Sequence, residues 1–408
     1  MMVFAKLIKP AVAFLGALAF FVLSAVGYYD WTLPEIYYTR SESIPVMETV
    51  FPVVWEETPV IRKEGESQKS RLLLFGVFPI KNATLTRLEE QKVIPGGEVF
   101  GMKLFSSGVM ITGFSDITSR DGSSFSPAAR AGLSMGDIIL SVNGEELDSN
   151  SELIELVKNS GGKALLLSIL REETAVRIEV TPKADEKGIY RLGVLVKDSS
   201  AGIGTVTFYE PVSGFFAGLG HPICESETGT PIPLRSGEAM PAEIERVNKG
   251  SVGEAGELVG SFSSSLPIGR LKGNTECGIM ALYEGVLPKK EPIQVATPSQ
   301  VKKGKAIIYA TVDDQGVKSY EIEIEEIRTS EKSGTRNLVI RITDEKLIQK
   351  TGGIVQGMSG SPIIQNGMLV GAVTHVLIGD PTRGYGVFAD TMLRTLAEFL
   401  PEKEAMAS

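Results

Sequence analysis

The hydrophobic and polar positions divide the chain into one long apolar run followed by many short ones. Residues 10–29 carry no charge and are rich in Phe, Leu, Val and Ala, and Asp30 closes the run. An uncharged helix of about 20 residues is long enough to cross a bilayer. Beyond this run, short apolar stretches alternate with Gly, Pro, Asn and Asp. Short runs between turn residues indicate strands, so the fold is predicted to be mainly β.

Residues 1–30 are interpreted as a membrane anchor. Lys6 and Lys9 precede the apolar run, and positive charge on that side favours a cytoplasmic N-terminus with the remainder of the chain exported. The alternative is a cleaved signal peptide, for which Ala25 and Gly27 offer a small-residue cleavage site. The length of the run and the two bulky tyrosines that follow it favour the uncleaved anchor.

Residues 31–95 are predicted to form a stalk with strands that lead into the next domain. The first half is rich in proline and in polar residues, a composition typical of an extended linker. The segments 71–80 and 82–88 are apolar enough to form strands.

Residues 96–185 show a distinctive succession of predicted strands and short helices. A predicted strand at 108–113 is followed by a short helix in 126–133 and by a strand in 136–144 that ends in an Asn-Gly turn. Ser149 and Glu152 have the spacing of a capping box and open a second helix before two final strands. This succession resembles a PDZ domain, an α/β, β-sandwich-like fold. The alternative is a small β-sandwich without a ligand.

The resemblance implies a peptide partner that adds as a strand beside an apolar-Gly-apolar loop. The backbone N–H groups of that loop hold the carboxylate of the peptide. In this chain the pattern falls on Phe100, Gly101, Met102, Lys103 and Leu104.

Residues 186–408 are predicted to form a catalytic domain of short strands. Residues 357–362 read Gly-Met-Ser-Gly-Ser-Pro and precede a hairpin with an Asn-Gly turn. A serine nucleophile needs an exposed hydroxyl on a tight turn, with N–H groups that converge on the developing oxyanion. Ser359 is therefore the candidate nucleophile, and the N–H groups of Gly357 and Ser359 are the candidate oxyanion hole.

This loop resembles the nucleophile loop of chymotrypsin-like peptidases, which implies a double β-barrel. The nucleophile elbow of α/β-hydrolases needs glycine at the position of Ser361. A glycine-rich turn with incidental serines is the remaining alternative. The catalytic interpretation therefore requires a general base and an orienting residue elsewhere in the chain.

The general base is sought among the two histidines of the chain, His221 and His375. His221 lies in a Gly-Leu-Gly-His-Pro turn and precedes the serine, as in the His-Asp-Ser order of chymotrypsin-like enzymes. His375 falls inside a predicted apolar strand, and we interpret it as a residue that lines the cleft or is satisfied by the backbone.

The orienting carboxylate is chosen by elimination. Asp313 and Asp314 occupy a predicted hairpin turn, where solvated aspartates are common. Asp344 ends a predicted strand shortly before Ser359 and is the preferred candidate. Glu225 stays open as an alternative.

The composition of the chain argues against nucleic-acid binding and against a metal or cofactor site. The formal charge of -9 and the pI near 5.1 argue against nucleic-acid binding. Cys224 and Cys277 form no CxxC pair, so neither a metal site nor a cofactor is expected. We expect two unpaired thiols, although an exported domain would also permit one disulfide.

Together, the N-terminal run, the PDZ pattern and residues 351–362 resemble the SpoIVB family of serine peptidases from endospore-forming bacteria. The resemblance places a triad on His221, Asp344 and Ser359. It implies a protein exported from the forespore and anchored in its inner membrane, facing the intermembrane space. It also implies self-cleavage, and cleavage of a membrane-embedded regulator of an intramembrane metalloprotease, which then processes the sigma-K precursor.

Two other functions fit part of the pattern. HtrA-like quality-control proteases are also anchored and exported, but their PDZ domains follow the peptidase. A non-catalytic PDZ scaffold with a decayed peptidase fold is the other, and the retained histidine, aspartate and serine argue against it.

Overall fold

The structure is a computed structural model that describes residues 2–39, 49–59, 61, 66–87, 90–172, 174–226, 228–329 and 334–400. As predicted, it is mainly β, with one long N-terminal helix, a PDZ domain and two barrels. The helix, α1 (Met2–Thr32), is apolar and largely exposed over Val12–Thr32. Within the described part of the chain, it is the one helix long and apolar enough to cross a membrane.

A small sheet follows α1 in the region where a stalk was expected. Its strands are β1 (Ile36–Thr39), β2 (Val53–Trp55), β3 (Ser67–Leu74) and β4 (Phe78–Arg87), in the order β1-β4-β3-β2. Alternate residues such as Leu72, Leu74 and Leu85 are fully buried and pack with Ala25 and Tyr29 of α1. The predicted lead-in strands are therefore one hairpin whose turn lies at 75–77.

The next two strands, β5 (Lys92–Pro95) and β6 (Val99–Phe114), lead into the PDZ domain. Its elements are β7 (Ile117–Thr118), β8 (Ser124–Phe125), α2 (Pro127–Arg130), β9 (Ile138–Val142), β10 (Glu145–Glu146), α3 (Asn150–Asn159), β11 (Leu165–Arg171), β12 (Thr174–Val180), β13 (Lys183–Ala184) and β14 (Tyr190–Arg191). The side chain of Ser149 accepts a hydrogen bond from the Glu152 N–H and begins α3, whose Leu153 and Val157 face the core.

The first barrel is a ring of six strands that includes β6. The strands that follow the PDZ domain are β15 (Val194–Glu210), β16 (Phe215–Gly218), β17 (Leu234–Asn248), β18 (Glu257–Phe262), β19 (Gly269–Thr275), β20 (Gly278–Tyr283) and β21 (Ile293–Gln294). Pairing runs β6-β17-β19-β20-β16-β15 and returns to β6, which closes the ring.

The second barrel is closed in the order β22-β23-β24-β27-β26-β25. After a single 3-10 turn (Pro298–Gln300), its elements are β22 (Gly304–Ala310), β23 (Lys318–Ile327), β24 (Leu338–Ile342), α4 (Glu345–Thr351), β25 (Pro362–Gln365), β26 (Met368–Leu377), β27 (Asp380–Phe388) and α5 (Ala389–Ala397). The predicted double β-barrel is thus confirmed.

The PDZ domain is an insertion between two strands of the first barrel. β15 pairs with β6 along both domains, from Val194 opposite Phe114 to Thr205 opposite Val99. The first half of β6 also pairs with β17, so it belongs to the barrel rather than to a PDZ domain that begins at residue 96. One strand, β15, therefore runs from the PDZ domain to the contact between the two barrels.

Candidate active site

Residues 357–361 form a tight turn that only glycine permits at two positions. Gly357 and Gly360 both have a φ of 95°. A Cβ on Gly360 would lie 2.0 Å from the carbonyl oxygen of Thr205, so no other residue fits there. The N–H of Ser361 donates to the carbonyl of Met358 at 3.0 Å and closes the turn.

The turn is held by the first barrel, although it belongs to the second. Thr205 on β15 donates its N–H to the Ser359 carbonyl at 2.9 Å and its hydroxyl to the Gly357 carbonyl at 2.8 Å. The hydroxyl of Thr207 donates to the Gly360 carbonyl, also at 2.8 Å. The sequence gives no signal for either threonine, because the contacts join residues that are more than 150 positions apart.

Ser359 is the accessible serine of the turn. Its side chain is partly exposed, and its hydroxyl donates to the carbonyl of Thr374 on β26 at 2.7 Å. Ser361 is completely buried, and its hydroxyl has no partner among the described residues. Of the two serine hydroxyls in this turn, that of Ser359 is therefore the accessible one.

The N–H groups of Gly357 and Ser359 are not used by the fold. No hydrogen bond from either group to a protein acceptor is found within the described ranges, whereas the N–H of Met358 between them donates to Val355. Two donors that flank a nucleophile and lack a protein acceptor can serve a ligand oxygen.

His221 follows β16 on a turn in which two successive residues are left-handed. Leu219 has a φ of 68° and Gly220 a φ of 72°. Leu219 is buried, and such a conformation is costly for a branched residue, so its surroundings must hold it. A Cβ on Gly220 would lie 2.9 Å from the methyl group of Thr374, which shows how closely this turn approaches β26.

A backbone carbonyl fixes the imidazole of His221. Nδ1 lies 2.8 Å from the carbonyl oxygen of Pro222, which can only accept, so Nδ1 carries the proton and Nε2 has the free lone pair. Burial lowers the pKa of His221 below its usual value, and the bond to Pro222 opposes this in part. His221 is therefore neutral at pH 7 and able to accept a proton at Nε2.

His375 lies directly beside His221. The two ring centroids are 4.7 Å apart, at an interplanar angle of 36°. Nδ1 of His375 is buried without a hydrogen-bond partner in the described chain, and burial next to His221 lowers the pKa of His375 to about 4. His375 is a neutral ring beside His221, and the carbonyl of its preceding residue, Thr374, accepts the hydrogen bond from the Ser359 hydroxyl. The two histidines and Ser359 thus meet at β26.

Neither predicted carboxylate forms a hydrogen bond with His221 among the described residues. Asp344 is the N-cap of α4, and its carboxylate accepts from the N–H of Leu347 at 3.0 Å. Glu225 is buried and accepts from the N–H of Thr228 at 2.8 Å. No carboxylate within the described ranges accepts a hydrogen bond from His221, whose Nδ1 is bound to Pro222. The order of residues along the chain could not show which groups form hydrogen bonds with the imidazole of His221.

Residues 100–104 are not a loop. They lie inside β6, where one edge pairs with β15 and the other with β17. Phe100, Met102 and Leu104 are buried in the first barrel, and a Cβ on Gly101 would collide with the ring of Phe262. Their backbone donors are engaged in the sheet, so the carboxylate-binding loop expected here is absent. An apolar-Gly-apolar pattern describes a central strand equally well.

The second half of β6, which follows this segment and lies beside β9, has no free edge for a peptide either. Val194 and Val196 of β15 pack against the core of the PDZ domain, and β15 pairs with β6 at Phe114 and Ile111. The side-chain amide of Asn150, at the start of α3, donates to the Val196 carbonyl at 3.2 Å. The edge of β6 opposite β9 is therefore covered by the chain itself.

The two cysteines are free thiols. Cys224 is half-buried and Cys277 is buried. Burial raises the pKa of the Cys224 thiol, with a further contribution from Glu276, so this thiol is not activated as a nucleophile. Within the described part of the chain, no three His, Cys, Asp or Glu side chains cluster as metal ligands.

Comparison with known proteins gives family matches to two parts of the chain. The family described as SpoIVB peptidase S55 matches residues 188–393, and a PDZ family matches residues 119–171. The probable membrane metalloprotease ARASP2 of Arabidopsis thaliana is 39% identical over 79 residues, which are 18% of this chain and 18% of that protein. The chain thus spans less than a fifth of the length of the curated relatives it matches.

Solved structures align with parts of the chain. The PDZ domain of the SdrC-like protein from Listeria monocytogenes covers 22% of this chain and 90% of its own, at 21% identity and a TM-score of 0.19. The HtrA-type protease AlgW, solved with a decapeptide, covers 56% of this chain and 55% of its own, at 10% identity and a TM-score of 0.30.

Proposed function

Because the chain belongs to the SpoIVB peptidase S55 family and is a serine peptidase, we propose that it is an endopeptidase with Ser359 as nucleophile and His221 as general base. One observation carries this proposal more than the others. The Nδ1–H of His221 is bound to the Pro222 carbonyl, which leaves Nε2 as an acceptor beside β26, where the Ser359 hydroxyl is held.

In the proposed reaction, the Ser359 hydroxyl turns from the Thr374 carbonyl to Nε2 of His221 as the substrate enters. Catalytic hydrogen bonds are often absent from the free enzyme and form only with substrate. The hydroxyl oxygen attacks the scissile carbonyl, and His221 takes the proton and then delivers it to the leaving amine. Water hydrolyses the acyl-enzyme by the same proton transfers in reverse.

The oxyanion of the tetrahedral intermediate needs two donors. We assign this role to the N–H groups of Gly357 and Ser359, which have no protein acceptor among the described residues. Thr205 holds the carbonyls of these same two residues, which belong to the peptide groups that follow the two donors, and so restrains the turn that carries the donors.

The Pro222 carbonyl takes the place that an aspartate occupies in a triad, so we propose a serine–histidine dyad. A carbonyl fixes the tautomer and the orientation of the ring. It offers less stabilisation to the imidazolium than a carboxylate does, because it carries no net charge. Asp344 then serves the fold as a helix cap rather than the reaction.

The substrate is a protein. Family membership and the apolar helix α1 support a membrane-tethered enzyme that cleaves a membrane-embedded regulator, and itself, in sporulation signalling that leads to sigma-K precursor processing. The corresponding location is the forespore inner membrane, with the peptidase in the intermembrane space.

A fluorophosphonate probe tests the nucleophile directly. We expect stoichiometric labelling of the wild-type chain, with the adduct on the peptide that contains Ser359. Ser359→Ala abolishes labelling and cleavage, whereas Ser361→Ala, its neighbour in the same turn, retains both because its hydroxyl is buried. Labelling that survives Ser359→Ala and disappears in Ser361→Ala would contradict the assignment. A folded wild-type chain that never reacts would favour the non-catalytic scaffold.

A quality-control protease of the HtrA type is the second candidate. Broad cleavage of unfolded proteins by the purified chain favours it, and cleavage confined to a membrane-protein target favours the signalling role.

A further inference from the structure

The apolar helix α1 does not stand apart from the folded chain. The ring of Phe51 packs on the ring of Phe21, with centroids 5.3 Å apart, and the N–H of Phe51 donates to the hydroxyl of Tyr29 at 2.9 Å. At 1.5 Å per residue, Phe21 lies about 16 Å from the end of the helix at Thr32. The hydrocarbon core of a bilayer is about 30 Å thick. Where α1 crosses a bilayer, the loop around Phe51 is therefore level with acyl chains.

The turn between β3 and β4 packs on Phe51 and therefore lies at the same depth relative to α1. The rings of Phe51 and Phe75 pack with centroids 5.7 Å apart, and the N–H of Phe75 donates to the carbonyl of Pro52 at 2.8 Å. Residues 50–54 and 74–78 thereby form one surface, the apolar tip of the first sheet. Neither segment contains a charged or polar side chain.

The apolar tip is exposed although the sheet has a well-packed core. The exposed fraction is 86% for Val50, 68% for Val77, 43% for Phe75 and 40% for Phe78. A contiguous exposed apolar surface is rare on soluble proteins and marks a contact with another apolar phase or partner. Because this surface lies beside the apolar span of α1, the apolar phase indicated is the hydrocarbon core of a bilayer.

The turn between β3 and β4 gives an independent argument. Its central residues, Phe75 and Gly76, have φ values of 56° and 71°, the left-handed pair of a type I′ turn. Among the residues that the structure describes, two other hairpin turns have such a pair, and both use Asn-Gly, at 143–144 and 366–367. Asparagine tolerates this conformation, whereas a bulky aromatic residue does so at a cost. The local backbone therefore does not account for the aromatic ring at Phe75.

We propose that the apolar tip inserts into the bilayer that α1 crosses, with lipid acyl chains as its partner. The first sheet then contacts the membrane twice, through α1 and through its own hairpin, which fixes its orientation on the surface. Lys81 supports this arrangement, because its ammonium donates to the carbonyl of Leu33 at 2.9 Å, just beyond α1, where headgroups lie. The proposal requires α1 to remain attached and does not depend on peptidase activity.

Depth-resolved fluorescence on the full chain tests the proposal. A Cys224→Ser background leaves only the buried Cys277, and Val77→Cys is labelled with an environment-sensitive NBD dye. The chain is reconstituted in phosphatidylethanolamine and phosphatidylglycerol vesicles. Val212→Cys is the matched control, because Val212 is an exposed valine in the turn that follows β15.

We expect the label at 77 to be quenched by doxyl groups on the acyl chains and protected from aqueous iodide, and the label at 212 to behave in the opposite way. Equal access of iodide to both labels overturns the proposal. Protection from iodide without quenching by doxyl lipids also overturns it, because a protein partner would then cover the tip.

Phe75→Asn separates the tip from α1. The substitution gives the turn the residue that the chain uses at 143 and 366, so the sheet should fold and melt at the wild-type temperature or above. The label at 77 should nevertheless shift toward water, with less quenching by doxyl lipids and more by iodide. Unchanged quenching in this variant would show that α1 alone sets the depth and that the tip contributes nothing.

Discussion

Asp344 is the residue at which sequence order and structure give opposite predictions for catalysis. Its place before Ser359 makes it the third member of a triad, whereas its contacts make it the cap of α4. Asp344→Asn separates the two roles. Asparagine caps a helix as well as aspartate does, but in a triad it favours the wrong imidazole tautomer.

The two roles differ greatly in magnitude. Replacing a triad aspartate by asparagine lowers turnover about 10⁴-fold, equivalent to about 5.5 kcal/mol of activation free energy. The Asp344 carboxylate accepts a capping hydrogen bond from the Leu347 N–H at 3.0 Å and a longer one from the Glu321 N–H at 3.5 Å, and losing a helix cap costs about 1 kcal/mol of stability. We therefore expect Asp344→Asn to be near wild type in rate, and Asp344→Ala to lose stability but not chemistry.

The rate of fluorophosphonate labelling and the midpoint of urea unfolding measure the two effects separately. Ser149→Ala is the matched control, because Ser149 caps α3 in the PDZ domain through one bond to the Glu152 N–H at 3.3 Å. The two alanine variants should lose similar stability and label at the wild-type rate. If Asp344→Asn labels orders of magnitude more slowly with an unchanged urea midpoint, the dyad is wrong and the helix cap is incidental.

Two further predictions concern the catalytic pair and its clamp. His221→Ala should slow peptide cleavage as much as Ser359→Ala does, and the double variant should be no slower than either, because the pair acts as a unit; independent, multiplying losses would contradict this. Thr205→Val removes the hydroxyl that binds the Gly357 carbonyl, and we expect labelling about five- to tenfold slower, as for the loss of one hydrogen bond. Thr311→Val, which removes a similar buried bond to a backbone carbonyl elsewhere, should leave the rate unchanged.

The parts of the fold that the sequence predicts well are those with local causes. The serine at 149 caps α3 through a bond to a residue three positions later, and the glycines at 357 and 360 supply the left-handed φ values of their own turn, so these local patterns identify α3 and the nucleophile turn. The segment 100–104 shows the limit of such patterns. Its alternation of apolar residues with Gly101 and Lys103 is compatible with a loop or with a central strand. Only its pairing with β15 and β17 shows that it is a central strand.

The parts that escape prediction depend on distances between segments that are remote in sequence. Thr205 carries no motif, yet it holds the nucleophile turn from the other barrel. His375 did carry a signal, since the chain has only two histidines, but strand periodicity could not show that their rings stack. The first two strands of the small N-terminal sheet, β1 and β2, escaped prediction because they lie among prolines typical of a linker.

The paired histidines also predict the pH dependence of the enzyme. A general base must be unprotonated, and the acid limb of kcat/KM reports its pKa in the free enzyme. Burial lowers the pKa of His221 below the ordinary 6.5, so the midpoint of the acid limb should lie below that value. An acid limb at or above the ordinary value would show that burial does not act on the base as the structure indicates.

The same argument predicts the effect of charge at position 375. His375→Glu puts a carboxylate where a neutral ring now lies 4.7 Å from His221, and a nearby negative charge favours the imidazolium. The pKa of His221 should therefore rise, and the acid limb should move to higher pH. His375→Gln is the neutral control, which removes the ring without adding charge and should keep the limb in place. A purely structural His375 would lower the rate in both variants without moving the limb in either, so a shift in the Glu variant alone identifies electrostatic contact with the base.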